Sequence, residues 1–170
     1  MDNQAFQNMY LSHSDAIFKY IYYLQGNKEQ AEDFTQETFT KAYQNYKSYR
    51  QEANELTWLR QIARHLVYDH YRRQKIVQFL PFVQKEQMPD EAILPEEFLL
   101  KGEEFSYLFR ELYKLKLEYR EAIIARYIEE LSVKEAAHML GWNEAKVKNN
   151  TARALKSLQK GFGEEGYVNG

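Results

Sequence analysis

The sequence predicts an all-α protein of two small helical domains, an N-terminal helix bundle and a C-terminal helix-turn-helix, joined by an acidic, proline-containing linker. Three observations predict it. Apolar residues recur at spacings of three and four through most of the chain, the period of helices that each bury one face. Glycine and proline are scarce, 7 and 3 in 170 residues, which argues against a turn-dense all-β fold and against low-complexity sequence. Pro81, Pro89 and Pro95 all lie in QFLPFVQKEQMPDEAILPEE, through which no long helix can run. The boundaries that follow are residues 1–77 for the first domain, 78–102 for the linker and 103–160 for the second domain. Residues 161–170, where four of the 7 glycines collect, are expected to be a flexible tail.

The first domain reads as three helices. Phe6, Met9, Tyr10, His13, Ile17, Tyr20, Ile21 and Leu24 make one stripe, and Gly26 stops it. Ala31, Phe34, Thr38, Phe39, Ala42, Tyr43 and Tyr46 make the second. After the polar connection KSYRQEANEL, the third is Leu56, Leu59, Ile62, Ala63, Leu66, Val67 and His70. Three amphipathic helices with short connections fit a small bundle. The second domain reads as four helices, at about 103–115, 119–130, 133–140 and 144–160.

The last two of these carry the sharpest local signal. Ser132 followed by Glu135 is a capping box that starts one helix, and Gly141 can take the left-handed conformation that stops it. Asn143 can then cap the next. Ala137, Gly141 and Val147 fall at relative positions 0, +4 and +10: a small residue where two helices touch, the glycine of the turn, and an apolar residue closing the core. That spacing is a helix-turn-helix, whose second helix enters the DNA major groove. On that helix Val147, Thr151, Ala154, Leu155 and Leu158 are expected to be buried, leaving Lys146, Lys148, Asn149, Asn150 and Arg153 to face DNA. Asn suits adenine edges, Arg guanine or phosphate, and Lys phosphate.

Composition bounds the rest. The chain is 44% hydrophobic and 15% aromatic, too apolar to stay unfolded. It has 0 Cys, so no disulfide, thiolate metal site or thiol nucleophile is available and a reducing cytoplasm is the expected compartment. Apolar runs are short, the mean hydropathy is -0.72, and MDNQAFQNMY has no signal-peptide pattern, so no membrane insertion or export is expected. Net charge is -2, yet its distribution is uneven. Arg60 to Lys75 holds five Lys/Arg against one acid, and Lys146 to Lys160 holds five and no acid. Between them, Lys85 to Glu104 holds seven acids against two Lys. Two basic islands either side of an acidic strait point to two separate contacts with a polyanion.

Two further faces carry chemistry. Glu32, Asp33, Gln36 and Glu37, at offsets 0, 1, 4 and 5, form an acidic patch opposite an apolar stripe. Such a patch fits a basic partner, or merely complements a helix N-terminus. Trp58, Arg60, Arg64, His65, Tyr68, His70, Tyr71, Arg72 and Arg73, with Asp69 among them, put rings among cations on one long helix, as single-stranded DNA binding requires. The alternative is that Trp58 and Tyr71 belong to the core and only the arginines face out.

These residues together resemble the extracytoplasmic-function (ECF) sigma factors, small two-domain bacterial transcription initiation factors, and among them the group of Bacillus and its relatives that includes sigma X. The resemblance spans residues 5–160. It rests on Ala31-Glu32-Asp33 through Ala42-Tyr43, on Thr57-Trp58-Leu59 through Arg72-Arg73, and on Tyr119-Arg120-Glu121 with Glu130-Leu131-Ser132 through Arg153-Ala154. It implies an alternative sigma factor that binds core RNA polymerase and directs promoter-specific initiation. The acidic patch would meet the β′ clamp helices, and the second domain the β flap. The loop Ser48 to Glu55 and the third helix would read and melt the minus-ten element, with one base flipped into the loop, and the last helix would read the minus-thirty-five element. A membrane-anchored anti-sigma factor would restrain it. Two departures stand out. Val147-Lys148-Asn149-Asn150-Thr151 lacks the arginine usual in the recognition helix, which implies a divergent minus-thirty-five preference. Leu115-Lys116 replaces a usual Leu-Pro, which predicts a more continuous helix there.

Other readings remain at this stage. A stand-alone helix-turn-helix regulator would have to bind duplex DNA unaided, and a net charge of -2 gives little counterion release to drive that. A helical adaptor using only the acidic face leaves the basic island at Lys146 to Lys160 without a purpose. An enzyme is disfavoured: His13, His65, His70 and His138 show no metal-ligand spacing beyond His65 near Asp69, and no phosphate loop or nucleophile motif is present. No catalytic residue, metal or cofactor is expected.

Overall fold

Asp2 opens the first helix by accepting the Ala5 N–H at 2.7 Å, a side-chain cap on α1 (Asn3–Gln25). Gly26 ends it with φ 68, where its N–H reaches the Tyr22 carbonyl at 2.8 Å. Asn27 caps α2 (Lys28–Asn45) through the Gln30 N–H, a 3-10 turn follows at Tyr46–Ser48, and Asn54 receives the Thr57 N–H at the start of α3 (Glu55–Gln78). The computed structural model describes residues 2–49, 53–78 and 102–164; most of the expected linker and the tail from residue 165 lie outside them. The described residues are helices, turns and connections, with no strand. The chain divides into two units between Ile93 and Leu94.

In the first unit each of α1, α2 and α3 packs on the other two. Ile17, Ile21, Leu24, Phe39, Leu59, Ala63 and Val67 meet at the centre, all almost fully buried. Tyr10 and Tyr43, expected inside, sit at the rim, 40% and 46% exposed. They are still ordered by rings: Tyr10 edge-on to Phe39 at 4.9 Å and Phe6 edge-on to Tyr43 at 5.2 Å.

The second unit holds α4 (Glu103–Lys114), α5 (Leu117–Ile123), a π-helical segment (Ile124–Ile128), α6 (Val133–Leu140) and α7 (Glu144–Glu164). α7 packs against α4, α5 and α6. The expected continuous helix across Leu115-Lys116 is absent. Both residues are extended, at ψ 152 and ψ 147. The break is held by Arg120, almost fully buried, whose guanidinium donates to the carbonyls of Leu112, Tyr113 and Leu115 and covers the Tyr113 ring. A side chain thus terminates α4 where a proline would otherwise do so. The helix expected over 119–130 changes to π-helical hydrogen bonding at Ile124 and ends before Glu130, which takes φ 54.

α7 also outruns its expected end at residue 160. Gly161 lies so close to buried Glu111 that a Cβ there would sit 2.2 Å from its carboxylate. The Tyr107 hydroxyl donates to the Gly161 carbonyl at 3.1 Å, and Phe162 packs on the Tyr107 ring. Glycine at this position serves close packing, so the helix continues to Glu164.

Candidate functional site

The helix-turn-helix forms as its spacing predicts. Ser132 Oγ accepts the Glu135 N–H at 3.1 Å and the Glu135 carboxylate accepts the Ser132 N–H at 3.4 Å, closing the capping box. Gly141 has φ 68 and its N–H returns to the Ala137 carbonyl. Asn143 accepts the Lys146 N–H at 2.7 Å, and Val147 is fully buried beneath the turn.

The outward face of α7 differs from the expected one in two residues. Asn150 is buried, not solvent-facing, and its Nδ2 has no hydrogen-bond partner. Leu155 is exposed at 37%. The reason is angular: the buried positions are Val147, Asn150, Ala154 and Leu158, a stripe at offsets 0, 3, 7 and 11 that half-buried Gly161 continues at offset 14, and Leu155 at offset 8 falls outside it. Opposite that stripe stand Asn149, Arg153, Lys156 and Lys160, all exposed. At 1.5 Å rise per residue they run along about 16 Å of helix, so Lys156 and Lys160 extend the cationic face two turns past Arg153. The i, i+4, i+7, i+11 spacing from Asn149 already marked those two lysines. Lys148 is exposed beside this face. Lys146 is partly committed, paired with Glu118 at 3.2 Å and lying 4.6 Å over the Trp142 ring.

On α3 the exposed face gathers Arg64, His65, Tyr68 and Arg72, with Lys75 one turn on. Arg64 lies 4.3 Å over the Tyr68 ring, a cation–π contact that holds both side chains along the helix. Asp69 pairs with Arg72, and Arg73 projects near the helix end. Arg60 does not belong to this face. It is 7% exposed, because it follows Leu59 into the interior side of α3. Trp58 lies at the edge of the face, half-buried but not in the main core. It stacks on Tyr49 with centroids 4.8 Å apart and meets Tyr46 edge-on at 6.3 Å. The Tyr49 hydroxyl donates to the Ala53 carbonyl at 2.5 Å, and burial, followed by the nearby Glu55 carboxylate and Tyr46, pushes its pKa above the ordinary tyrosine value. The sequence places Tyr46 on the apolar stripe of the second helix and Tyr49 within the loop Ser48 to Glu55, but pairs neither with Trp58, because their spacing to it runs through a connection and not along one helix.

On α2, Glu32, Asp33, Gln36 and Glu37 are all exposed, as expected, and Glu29 joins them one turn earlier. Asp33 and Glu37 are four apart, a like-charge spacing that costs an isolated helix a few tenths of a kcal/mol. Glu37 also lies in the middle of α2, beyond reach of the N-terminal dipole. Helix capping therefore accounts for Glu29 but not for Asp33 with Glu37. Among the described residues no cluster of His, Cys, Asp and Glu could hold a metal ion, and no helix is long and apolar enough to cross a membrane.

These faces lie in regions that match two known families: Sigma-70 region 2 over residues 9–76 and Sigma-70, region 4 over residues 106–158. The chain is 30% identical over 162 residues to the ECF RNA polymerase sigma factor SigX of Bacillus subtilis, covering 92% of this chain and 83% of that protein. It is 32% identical to RNA polymerase sigma factor YlaC of the same organism, covering 92% and 91%. Among solved structures, the sigma factor RpoE from Bartonella quintana, crystallised in complex with the anti-sigma factor NepR, superimposes with TM-score 0.78 at 27% identity, over 94% of this chain and 98% of that one. CnrH, solved in complex with the cytosolic domain of CnrY, shares the fold with TM-score 0.70 at 21% identity.

Proposed function

Because the chain belongs to the ECF sigma factors of RNA polymerase, we propose a division of labour in which α2 binds core polymerase, α3 engages the minus-ten element and α7 reads the minus-thirty-five element. The observation that carries this reading is the exposed acidic face Glu32, Asp33, Gln36 and Glu37, which helix capping does not explain and a basic protein surface would. Its partner is the β′ clamp helices, with the β flap meeting the second domain. The α3 face supplies arginines for phosphate and Tyr68 and Trp58 for stacking on separated bases, about 1 to 3 kcal/mol per base. The α7 face supplies Asn149 and Arg153 for base edges, with Lys146, Lys148, Lys156 and Lys160 for phosphates. In this reading residues 1–77 and 103–160 are the two working domains, tethered by 78–102.

The protein acts by binding and not by catalysis, in the cytoplasm. The anti-sigma complex of the RpoE relative supports an anti-sigma partner for this chain as well, which the family resemblance makes a membrane-anchored one. Transcription in vitro with purified core polymerase, with and without the protein, followed by sequencing of start sites, tests the reading. Start sites that appear only with the protein and share two upstream elements support it. Specific nanomolar promoter binding by the protein alone would favour a stand-alone regulator.

A further inference from the structure

The candidates outside these faces are the buried Gln25 amide, the rim aromatics of α1 and α2, and one ion pair that joins two helices far apart in sequence. Neither atom of the Gln25 amide has a partner, but nothing beside it indicates a ligand. Nothing indicates what would cover Tyr10, Leu11 and Tyr43. The ion pair carries an inference. His13 Nε2 and Glu55 Oε2 are 2.9 Å apart, bridging α1 to the first turn of α3 across 42 residues. Both side chains are mostly covered, at 21% and 35% exposure, so the contact is better shielded than a surface pair.

We propose that His13 is a positioning residue for the promoter-facing aromatic cluster: by holding Glu55 it fixes the first turn of α3, and with it Trp58, against Tyr49. The geometry runs in three steps. α1 is the rigid end, because Met9 and Ile17, one turn to either side of His13, are buried in the core. Glu55 is the coupler, three residues before Trp58 and therefore on the same side of α3. After burial, its carboxylate is also a cause of the raised Tyr49 pKa. Trp58 is the working end, stacked on Tyr49 at 4.8 Å. This inference rests on the proposed role of Trp58 in engaging separated promoter strands.

The test uses the full-length protein carrying Trp142→Phe, which leaves Trp58 as its single tryptophan. Acrylamide quenching of Trp58 is measured in His13→Ala, Glu55→Ala, the double variant and His13→Gln, whose amide can still donate to the carboxylate. Each alanine variant should raise quenching about twofold, the double variant no further, and His13→Gln should stay near the parent. With core polymerase, open complexes assayed by permanganate reactivity should fall about fivefold in the alanine variants and persist in His13→Gln. Thermal unfolding of every variant separates a loosened cluster from a lost fold. A bridge that merely staples α1 to α3 would lower the midpoint and leave Trp58 quenching unmoved, which overturns the proposal. Changed quenching with unchanged open complexes also overturns it. Trp58→Ala then separates the causes: if it too leaves opening intact, the role given to Trp58 has failed, and if it blocks opening, only the positioning by His13 has.

Discussion

Replacing Asn150 with leucine should stabilise the second unit while leaving promoter choice intact. Asn150 sits on the buried stripe of α7, 5% exposed, between Val147 and Ala154 on neighbouring turns, with Nδ2 unpartnered. A buried donor without an acceptor costs about 1 to 3 kcal/mol of desolvation. Leucine has the same γ-branched outline, removes that donor, and gains a few tenths of a kcal/mol in helix propensity. The net expectation is about 2 kcal/mol of added stability, which for a unit of this size raises the melting midpoint by roughly 10 °C. Trp142 fluorescence in a Trp58→Phe background reports this unit alone. Asn150→Ala supplies the second arm. Because the side chain does not reach solvent, selection from a randomised upstream element should yield the same preferred sequence as the parent protein. A lowered midpoint for Asn150→Leu would show that the amide has a partner. Relaxed preference at one upstream base pair for Asn150→Ala would show that it turns outward on DNA, and either result refutes the argument from burial.

Charge reversal of the α2 face, Asp33→Arg with Glu37→Arg, should abolish co-purification with core polymerase while helicity and melting are retained, because both side chains are exposed. Glu130→Gly should stabilise the second unit by about 1 kcal/mol, read as a raised melting midpoint, since φ 54 strains any residue with a Cβ. Arg120→Ala should cost about 3 kcal/mol in denaturant titration, because three carbonyls at the end of α4 lose a charged donor. Burial raises the Tyr22 pKa above 10.0, so its contribution to stability is complete below that value and is lost as pH climbs through the higher folded one. Tyr22→Phe should accordingly flatten the alkaline fall in the melting midpoint, read from unfolding scans above about pH 10.

Where a signal was local, the sequence was sufficient. Ser132 with Glu135, Gly141 and Asn143 is a self-contained statement of a turn between helices, and its hydrogen bonds lie within five residues. The acidic face of α2 was legible for the same reason, since Glu32 to Glu37 share one side of one helix. The misreadings are tertiary. Leu155 and Asn150 lie on either flank of the stripe, and hydrophobicity alone ranked them the wrong way round: Asn150 is buried and Leu155 is exposed. Arg60 follows Leu59 inward, although its charge suggested the surface. Arg120 belongs to a motif of the resemblance, but nothing in the spacing of Tyr119-Arg120-Glu121 says that its guanidinium terminates the preceding helix. Residue type ranks an average cost of burial, whereas a helix flank is settled by which neighbour arrives there.

The three-helix packing of the first unit explains how opposite charges coexist in it. α2 carries Glu29, Glu32, Asp33 and Glu37 against Lys28 and Lys41, while α3, with Arg60 buried, carries Arg64, Arg72, Arg73 and Lys75 against Glu55 and Asp69. Side by side on one surface, these groups would neutralise each other within a Debye length of about 8 Å. Each helix instead packs its inner face on both neighbours, so the outward faces of α2 and α3 point in different directions. A protein partner on α2 and a nucleic acid on α3 can then be held at once, without either competing for the other's charges. That separation also makes partner dependence a physical expectation: the acidic face repels DNA in the free protein, and covering it with a basic surface removes the repulsion. Duplex promoter binding by the free protein should therefore tighten when Asp33 and Glu37 are replaced by asparagine and glutamine. Fluorescence anisotropy at low salt measures it, and unchanged affinity would mean that the acidic face is too far from the bound DNA to matter.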